Sequence, residues 1–310
     1  MCLSLVRCWI LCGRKLNNAL DSYNIYRREA ESECEVIGSV MADRRSSLKQ
    51  GQIDILELLY KYRFGSRQLL ADSLGIKAGS SLYEKLEVLI KHGLVGKRQE
   101  KHLKLLGVPA AYYLTPNGLR TLASLPEHNY ITDSVIKSSY KDKSVSQAFV
   151  SHTFKVYQLT NDLKRQYQDL KVYLRRDMNR YSYFPVNPPD TFLSLKVNNT
   201  PKRFFFDVIP DNLPRRVLDR RITGYGQFFE DGGWVVTNSE QPVLLLVTEK
   251  GITENRSRRV VRATLVRLDM DDEIEVYTTT FAAIDNMDGS GKIWTNIDDP
   301  EELLSLSELS

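Results

Sequence analysis

A chain of 310 residues is long enough for two domains, each with its own hydrophobic core. Its 42% hydrophobic and 26% charged residues, with a formal net charge of +4, are ordinary for a globular protein. The longest apolar run, PVLLLVT at 242–248, is too short to span a bilayer and predicts a buried strand. We therefore expect no membrane partner.

Charge is unevenly distributed along the chain. Residues 43–126 carry 14 Lys/Arg against 7 Asp/Glu, and residues 137–184 carry 10 against 4. From residue 269 to the end the ratio is 1 to 12, so we interpret residues 291–310 as an acidic tail. Basic front and middle sections favour a polyanionic partner, although solvated surfaces explain the same counts.

The first 40 residues contain all four cysteines, with no Cys-x-x-Cys pair and no nearby histidine, which argues against a zinc site. The apolar opening is interrupted by a charge and lacks a clear cleavage site, so it is a poor signal peptide. Met41 begins MADRRSSLKQG, which resembles a natural start before a folded domain. We predict a poorly structured extension over residues 1–40 and a cytoplasmic protein.

Three short helices are predicted in the first third of the chain. QIDILELLYKY at 52–62 has helical apolar spacing, SRQLLADSLG at 66–75 has a serine cap and a terminal glycine, and GSSLYEKLEVLIKHGLV at 79–95 follows. GLVGKRQEKHLKLLGVPAAYYLT then predicts a strand, a basic loop and a second strand, before a helix capped by Thr115. This order is typical of a winged helix-turn-helix, which we place at residues 41–130.

In such a domain the third helix enters the major groove of duplex DNA and the wing approaches phosphates. We therefore predict double-stranded DNA as the partner of Ser81, Tyr83 and Lys85 on the helix. The predicted wing contacts are Lys97, Arg98, Lys101 and Lys104. The alternative is a winged helix that contacts only protein.

The rest of the chain predicts an α+β domain with a mixed sheet at residues 131–290. A long helix contains His152, which we interpret as a structural histidine beside its apolar stripe. Two strands pair across the turn Asn198–Asn199, and a helix from Leu213 is expected to bury Val217. Further buried strands and helices alternate after it.

Residues 188–209, PPDTFLSLKVNNTPKRFFFDVI, place two carboxylates, Asp190 and Asp207, at the ends of adjacent predicted strands. Such a pair can hold magnesium in a nuclease, where a lysine two residues later completes the site. Ile209 occupies that position, and only Arg220 or Arg221 could supply a cation. An arginine cannot act as a base, so we predict a silent site that uses no cofactor, and magnesium only if it is active.

The chain resembles the replication-relaxation family, bacterial proteins linked to plasmid mobilisation and replication. The resemblance covers residues 50–270 and is carried by ILELLYKYRFGSRQLLADSL, HGLVGKR…AYYLT, SHTFKVYQL, PPDTFLSL, FFFDVIPDNLPRRVLDRRITGY and VLLLVT. The family carries glutamate where this chain has Asp207 and an acid where it has Ile209. The second domain also resembles the restriction-endonuclease fold, so the resemblance implies a winged helix-turn-helix followed by a nuclease-like α/β domain.

These observations predict a DNA-binding accessory protein of plasmid mobilisation or replication, without nuclease activity, that recruits a relaxase or replication protein. Two alternatives stay open: a winged-helix transcriptional regulator, and a metal-dependent endonuclease that uses Asp190 and Asp207. A homodimer is compatible with each of them, because winged-helix proteins commonly dimerise.

Overall fold

The structure is a computed structural model that describes residues 48–309, so the extension predicted for residues 1–40 lies outside it. The helices are α1 (Gln50–Tyr62), α2 (Arg67–Leu74), α3 (Ser80–Lys91), α4 (Lys101–Leu105), α5 (Pro116–Ala123), α6 (Asp133–Ser139), α7 (Gln147–Gln166), α8 (Arg175–Met178), α9 (Arg215–Glu230), α10 (Gly251–Leu268) and α11 (Phe281–Asp285). The strands are β1 (Phe64–Gly65), β2 (Val95–Arg98), β3 (Ala111–Leu114), β4 (Lys171–Leu174), β5 (Thr191–Val197), β6 (Thr200–Ile209), β7 (Val243–Thr248), β8 (Val276–Thr280) and β9 (Thr295–Asn296).

The first helices begin and end where their capping residues predict. The Ser66 hydroxyl accepts a hydrogen bond from the Leu69 amide, and Gly75 ends α2 in the left-handed region, with φ at 63°. A small antiparallel sheet of order β1-β3-β2 accompanies helices α1 to α3, with β1 between α1 and α2. One detail differs from the prediction. The basic loop between β2 and β3 contains a short helix, α4, because four of the five residues of KHLKL are the good helix formers Lys and Leu.

The second sheet is mixed and has the order β4-β5-β6-β7-β8-β9. The pairs β6–β7 and β7–β8 are parallel, whereas the remaining neighbours are antiparallel. The hairpin between β5 and β6 turns at Asn198 and Asn199, whose φ angles are 49° and 68°. A tight hairpin turn needs positive φ at both central residues, which asparagine tolerates. The mixed α+β class is therefore confirmed.

Helices cover both faces of this sheet. Helix α7 packs on one face, where Phe204, Phe206 and Val208 alternate inward along β6. Helices α9 and α10 pack on the other face, against Phe205 and Ile209. Because successive side chains of a strand point to opposite faces, β6 contributes to both cores and is buried on both sides.

Two expectations for this part of the chain are wrong in detail. Val217 is 46% exposed, and Leu218 takes the inward position on α9. The acidic C-terminal segment is not a separate tail up to residue 309, because Trp294, Leu306 and Leu309 are fully buried in the α7-side core. Apolar residues between the acids supply enough buried surface to hold the segment on the sheet.

The helices near the start of the chain and the large sheet belong to one compact unit, Gly51–Ser310. The domain boundary near residue 130 stays a prediction. The Tyr62 ring stacks on Tyr157 of α7 with ring centroids 3.5 Å apart. None of the helices within residues 48–309 is long and apolar enough to cross a membrane.

A buried carboxylate joins these parts. The Asp142 side chain is only 2% exposed, and its Oδ1 accepts from Nε and Nη2 of Arg63 at 2.8 and 2.6 Å. Nη2 of Arg176, directly after β4, lies 3.8 Å from Oδ2 of Asp142. Arg98 of β2 donates to the carbonyl oxygens of Asp142 and Val145, at 3.4 and 2.8 Å. The Asp142 carboxylate therefore binds two arginines from distant parts of the chain, and a third arginine binds the backbone beside it.

Candidate functional site

The two predicted aspartates are neighbours in the structure. Asp190 directly precedes β5, and Asp207 lies near the end of β6. The pairing of Thr191 with Phe206 brings Asp190 beside Asp207 across the antiparallel ladder. The Asp190 amide donates to Oδ1 of Asp207 at 2.9 Å. The sequence prediction that these acids meet at adjacent strands agrees with this geometry.

Helix α9 supplies the partners of Asp207. Arg221 donates from Nε to Oδ2 at 2.5 Å and from Nη2 to Oδ1, and the Tyr225 hydroxyl donates to Oδ2 at 2.8 Å. Arg221 and Tyr225 are four residues apart, so they lie on one helix face above β6. With the Asp190 amide, these donors occupy about four acceptor positions, the full capacity of a carboxylate. Asp207 is 1% exposed.

A different set of groups binds Asp190. His152 of α7 places Nε2 2.9 Å from Oδ2, the Val208 amide donates to Oδ2 at 3.1 Å, and Arg175 places Nη2 3.3 Å from Oδ1. Burial would raise the pKa of Asp190, but the His152 hydrogen bond and the charges of His152, Arg221 and Arg175 outweigh it and lower the pKa to about 2. Asp190 is therefore ionised in the folded protein.

The sequence did not identify His152 as a partner of a carboxylate, and the same holds for Arg175 and Tyr225. The apolar stripe around His152 predicts only a structural histidine. Its contact with Asp190 spans 38 positions in the chain, and nothing local to either residue encodes it.

These carboxylates do not fit a magnesium site. They are held by helices from opposite faces of the sheet, and the guanidinium of Arg221 already takes the cation position at Asp207. Within residues 48–309 no group of three or more His, Cys, Asp or Glu side chains could hold a metal ion. Ile209 packs in the hydrophobic core between the sheet and helices α9 and α10. Arg220 directly precedes Arg221 on α9 and is exposed, so it lies on a different side of the helix from the residue that binds Asp207.

Acid should weaken the fold through Asp190. Its folded-state pKa of about 2 lies below the usual value of roughly 3.9, so its contribution is complete above about pH 5 and is lost as the pH falls towards 2. We expect the stability difference between the wild type and Asp190→Asn to shrink by about 2 kcal/mol over that range. Urea unfolding of both proteins at several pH values between 2 and 5 measures this difference. Parallel stability profiles for the two proteins would contradict this assignment.

A cleft of about 660 Å³ opens beside Asp190, between the end of α1, α7, α8 and the start of α9. We call it the junction cleft. One carboxylate, Asp190, lines it, together with His152. The basic side chains of its lining are Lys61, Arg63, Lys141, Arg175, Arg176 and Arg221. Cationic side chains therefore outnumber carboxylates in the lining of this cleft.

The seven residues predicted to bind DNA separate into three groups. Ser81, Tyr83, Lys101 and Lys104 are exposed. Lys85 and Lys97 are partly covered: Lys85 lies against the backbone at Gly51, and Lys97 lies 3.7 Å from a Glu87 oxygen.

Arg98 corrects the prediction. Its guanidinium donates to the backbone carbonyls of Asp142 and Val145, so it joins the β2–β3 hairpin to that segment and does not extend towards a ligand.

Comparison with known proteins gives little beyond this geometry. No family model matches the chain, and no curated protein matches it. Two solved structures of the restriction endonuclease FokI are similar, one of them bound to DNA. The first has 13% identity and a TM-score of 0.30, covering 75% of this chain and 42% of that one. The DNA-bound form has 14% identity and a TM-score of 0.26, covering 76% and 43%. This chain thus spans less than half of FokI, and TM-scores this low leave a shared fold unestablished.

Proposed function

We propose that the protein binds duplex DNA through a winged helix-turn-helix built from α1 to α3 and the β2–β3 hairpin, and that it does not cut the DNA. The observation that carries this proposal is the outer surface of α3 and α4. Helix α3 buries Leu82, Leu86 and Leu89 completely and leaves Ser81 and Tyr83 in solvent.

The wing supports the same reading. Lys101 and Lys104 are exposed on α4, and neither has an acidic partner within salt-bridge distance among residues 48–309. The Lys97 ammonium lies 5.9 Å from the ring centroids of both Tyr83 and Tyr112, which directs the base of the wing towards α3. Unpaired lysines beside a polar helix face are the arrangement that positions a helix on phosphates.

Loss of the wing lysines should weaken binding to every duplex. The double variant Lys101→Ala/Lys104→Ala removes two phosphate contacts and touches no core side chain. We expect the slope of log affinity against log salt to fall by about 1.8, at roughly 0.9 per phosphate contact. Electrophoretic shift or fluorescence anisotropy over a salt series measures it.

The matched control is Lys171→Ala/Lys196→Ala, which removes the same charge from exposed positions on β4 and β5. Equal slopes for the two double variants would sink the wing assignment. The same reactions with magnesium and supercoiled DNA should show no nicking by the wild type, because Arg221 and Tyr225 saturate Asp207. Magnesium-dependent nicking that Asp207→Ala abolishes would restore the endonuclease alternative.

A role in plasmid mobilisation or replication, with a relaxase or replication protein as partner, is the biological setting we propose on the resemblance to the replication-relaxation family. Binding to an origin and an effect of gene deletion on plasmid transfer support it. A palindromic footprint at the protein's own promoter without such an effect supports a transcriptional regulator instead.

A further inference from the structure

The junction cleft contains cations that the surrounding acids do not neutralise. Asp142 holds Arg63 and Arg176, and Asp207 holds Arg221. Lys61 and Lys141 have no carboxylate within salt-bridge distance in the described part of the chain, and Arg175 shares Asp190 with His152. Its six Lys/Arg outnumber the four acids that act on them, Asp142, Asp177, Asp190 and Asp207.

Lys61 shows the consequence most directly. Burial lowers the pKa of its ammonium group, and the charge of Asp177 offsets this only in part. A half-buried cation without an ion-pair partner is costly, and an anion placed in the cleft would reduce that cost. Asp190 opposes such an anion only weakly, because His152 and the Val208 amide already bind its Oδ2.

The cleft also offers an aromatic surface beside these cations. Phe149 lines it, is 37% exposed, and carries the Arg63 guanidinium 4.7 Å from its ring centroid. Nucleobases stack on exposed aromatic rings, and neighbouring cations bind the phosphates between bases. A volume of about 660 Å³ holds a ligand of drug-like size, so it admits one nucleotide unit and excludes a double helix.

We propose that the junction cleft binds one phosphate-bearing nucleotide unit, supplied either by a single strand of nucleic acid or by a free nucleotide. Lys61, Lys141 and Arg175 contact the phosphate, and Phe149 stacks on the base. The site is separate from the duplex-binding surface on α3 and α4.

The test measures binding of the full chain to a fluorescent single-stranded thymidine decamer by anisotropy, with adenosine monophosphate as competitor. Lys61→Gln/Lys141→Gln should weaken decamer binding by roughly tenfold and lower the salt slope by up to about 0.7, the value for one phosphate contact on a single strand. Phe149→Leu should weaken it severalfold through lost stacking. The control, Lys171→Gln/Lys196→Gln, changes the same charge outside the cleft.

Displacement of the decamer by adenosine monophosphate identifies a free nucleotide as a sufficient ligand. If adenosine monophosphate does not displace the decamer and the cleft variant Lys61→Gln/Lys141→Gln still binds the decamer weakly, the site is assigned to a single strand. Failure of the wild type to bind the decamer at low salt, or equal affinity of cleft and control variants, overturns the proposal. If Lys61→Gln/Lys141→Gln melts early, Lys141→Gln alone, at an exposed position, gives the same comparison.

Duplex binding separates this proposal from the proposed function. The cleft variant should bind duplex DNA like the wild type, whereas Lys101→Ala/Lys104→Ala should retain the decamer. If each variant weakens both ligands equally, one surface serves both and the separate cleft site is wrong.

Discussion

Replacing Arg221 with alanine is expected to lower the free energy of unfolding by about 3–5 kcal/mol. Arg221 is the only guanidinium that binds both oxygens of Asp207 among the described residues, and its loss leaves a carboxylate buried at 1% exposure without a counter-charge. The Tyr225 hydroxyl and the Asp190 amide would still donate to it. Two neutral donors do not offset the cost of burying an unpaired charge. Urea unfolding at neutral pH measures the change.

Arg220 gives the matched control, because it carries the same side chain one residue earlier on α9 and is exposed. Arg220→Ala should change stability by less than about 0.5 kcal/mol. Replacing both members of the buried pair, Arg221→Leu/Asp207→Leu, should recover most of the loss, since well-packed apolar residues often substitute for a buried ion pair. A loss for Arg221→Ala no greater than that for Arg220→Ala would show that the pair contributes nothing to the fold.

Asp142→Ala is the second substitution with a large expected effect, a loss of about 3 kcal/mol or more. It leaves the guanidinium groups of Arg63 and Arg176 without their shared carboxylate. Arg176 is only 15% exposed and also donates to the Tyr60 carbonyl at 2.7 Å, so it cannot turn out to solvent without breaking a second hydrogen bond. Arg63 is 32% exposed and recovers some hydration.

The readout for Asp142 is urea unfolding together with amide hydrogen exchange in α1 and in residues 171–178. We expect exchange to rise in both regions, because Asp142 joins the end of α1 to the segment after β4. The control is Asp169→Ala, which removes an exposed aspartate between α7 and β4. A stability loss matching that of Asp169→Ala, with unchanged exchange, would refute the role of Asp142 as a link between these elements.

The ion pairs around Asp207 and Asp142 also decide which cations are free to bind a ligand. Arg221 fills the position that a metal would take beside Asp207, and Asp142 neutralises two of the arginines in the junction cleft. The cations that stay available for a ligand are therefore Lys61 and Lys141 in the cleft, where Arg175 is shared with Asp190, and Lys101 and Lys104 on α4. This division predicts which substitutions change stability and which change binding.

Local signals in the sequence predicted most of the secondary structure correctly. The cap at Ser66, the terminal glycine at Gly75 and the turn at Asn198–Asn199 are decided by residues that contact their own neighbours in the chain. Strand burial was predicted equally well, since VLLLVT of β7 is apolar at five of its six positions and all six are buried between the two helical layers. The errors fall where adjacent residues compete for one inward position, as Leu218 does with Val217.

The sequence by itself determined the α+β class, the main helices and strands, and the pairing of the strands beside Asp190 and Asp207, because propensity, capping and hairpin turns act over short distances. Only the tertiary structure decided what those acids do. His152, Arg175, Arg221 and Tyr225 reach them from three helices, and Asp142 binds arginines up to 79 positions away. A charge is neutralised by whatever lies within a few ångströms of it, and the packing of α7 and α9 on opposite faces of the sheet decides what lies there.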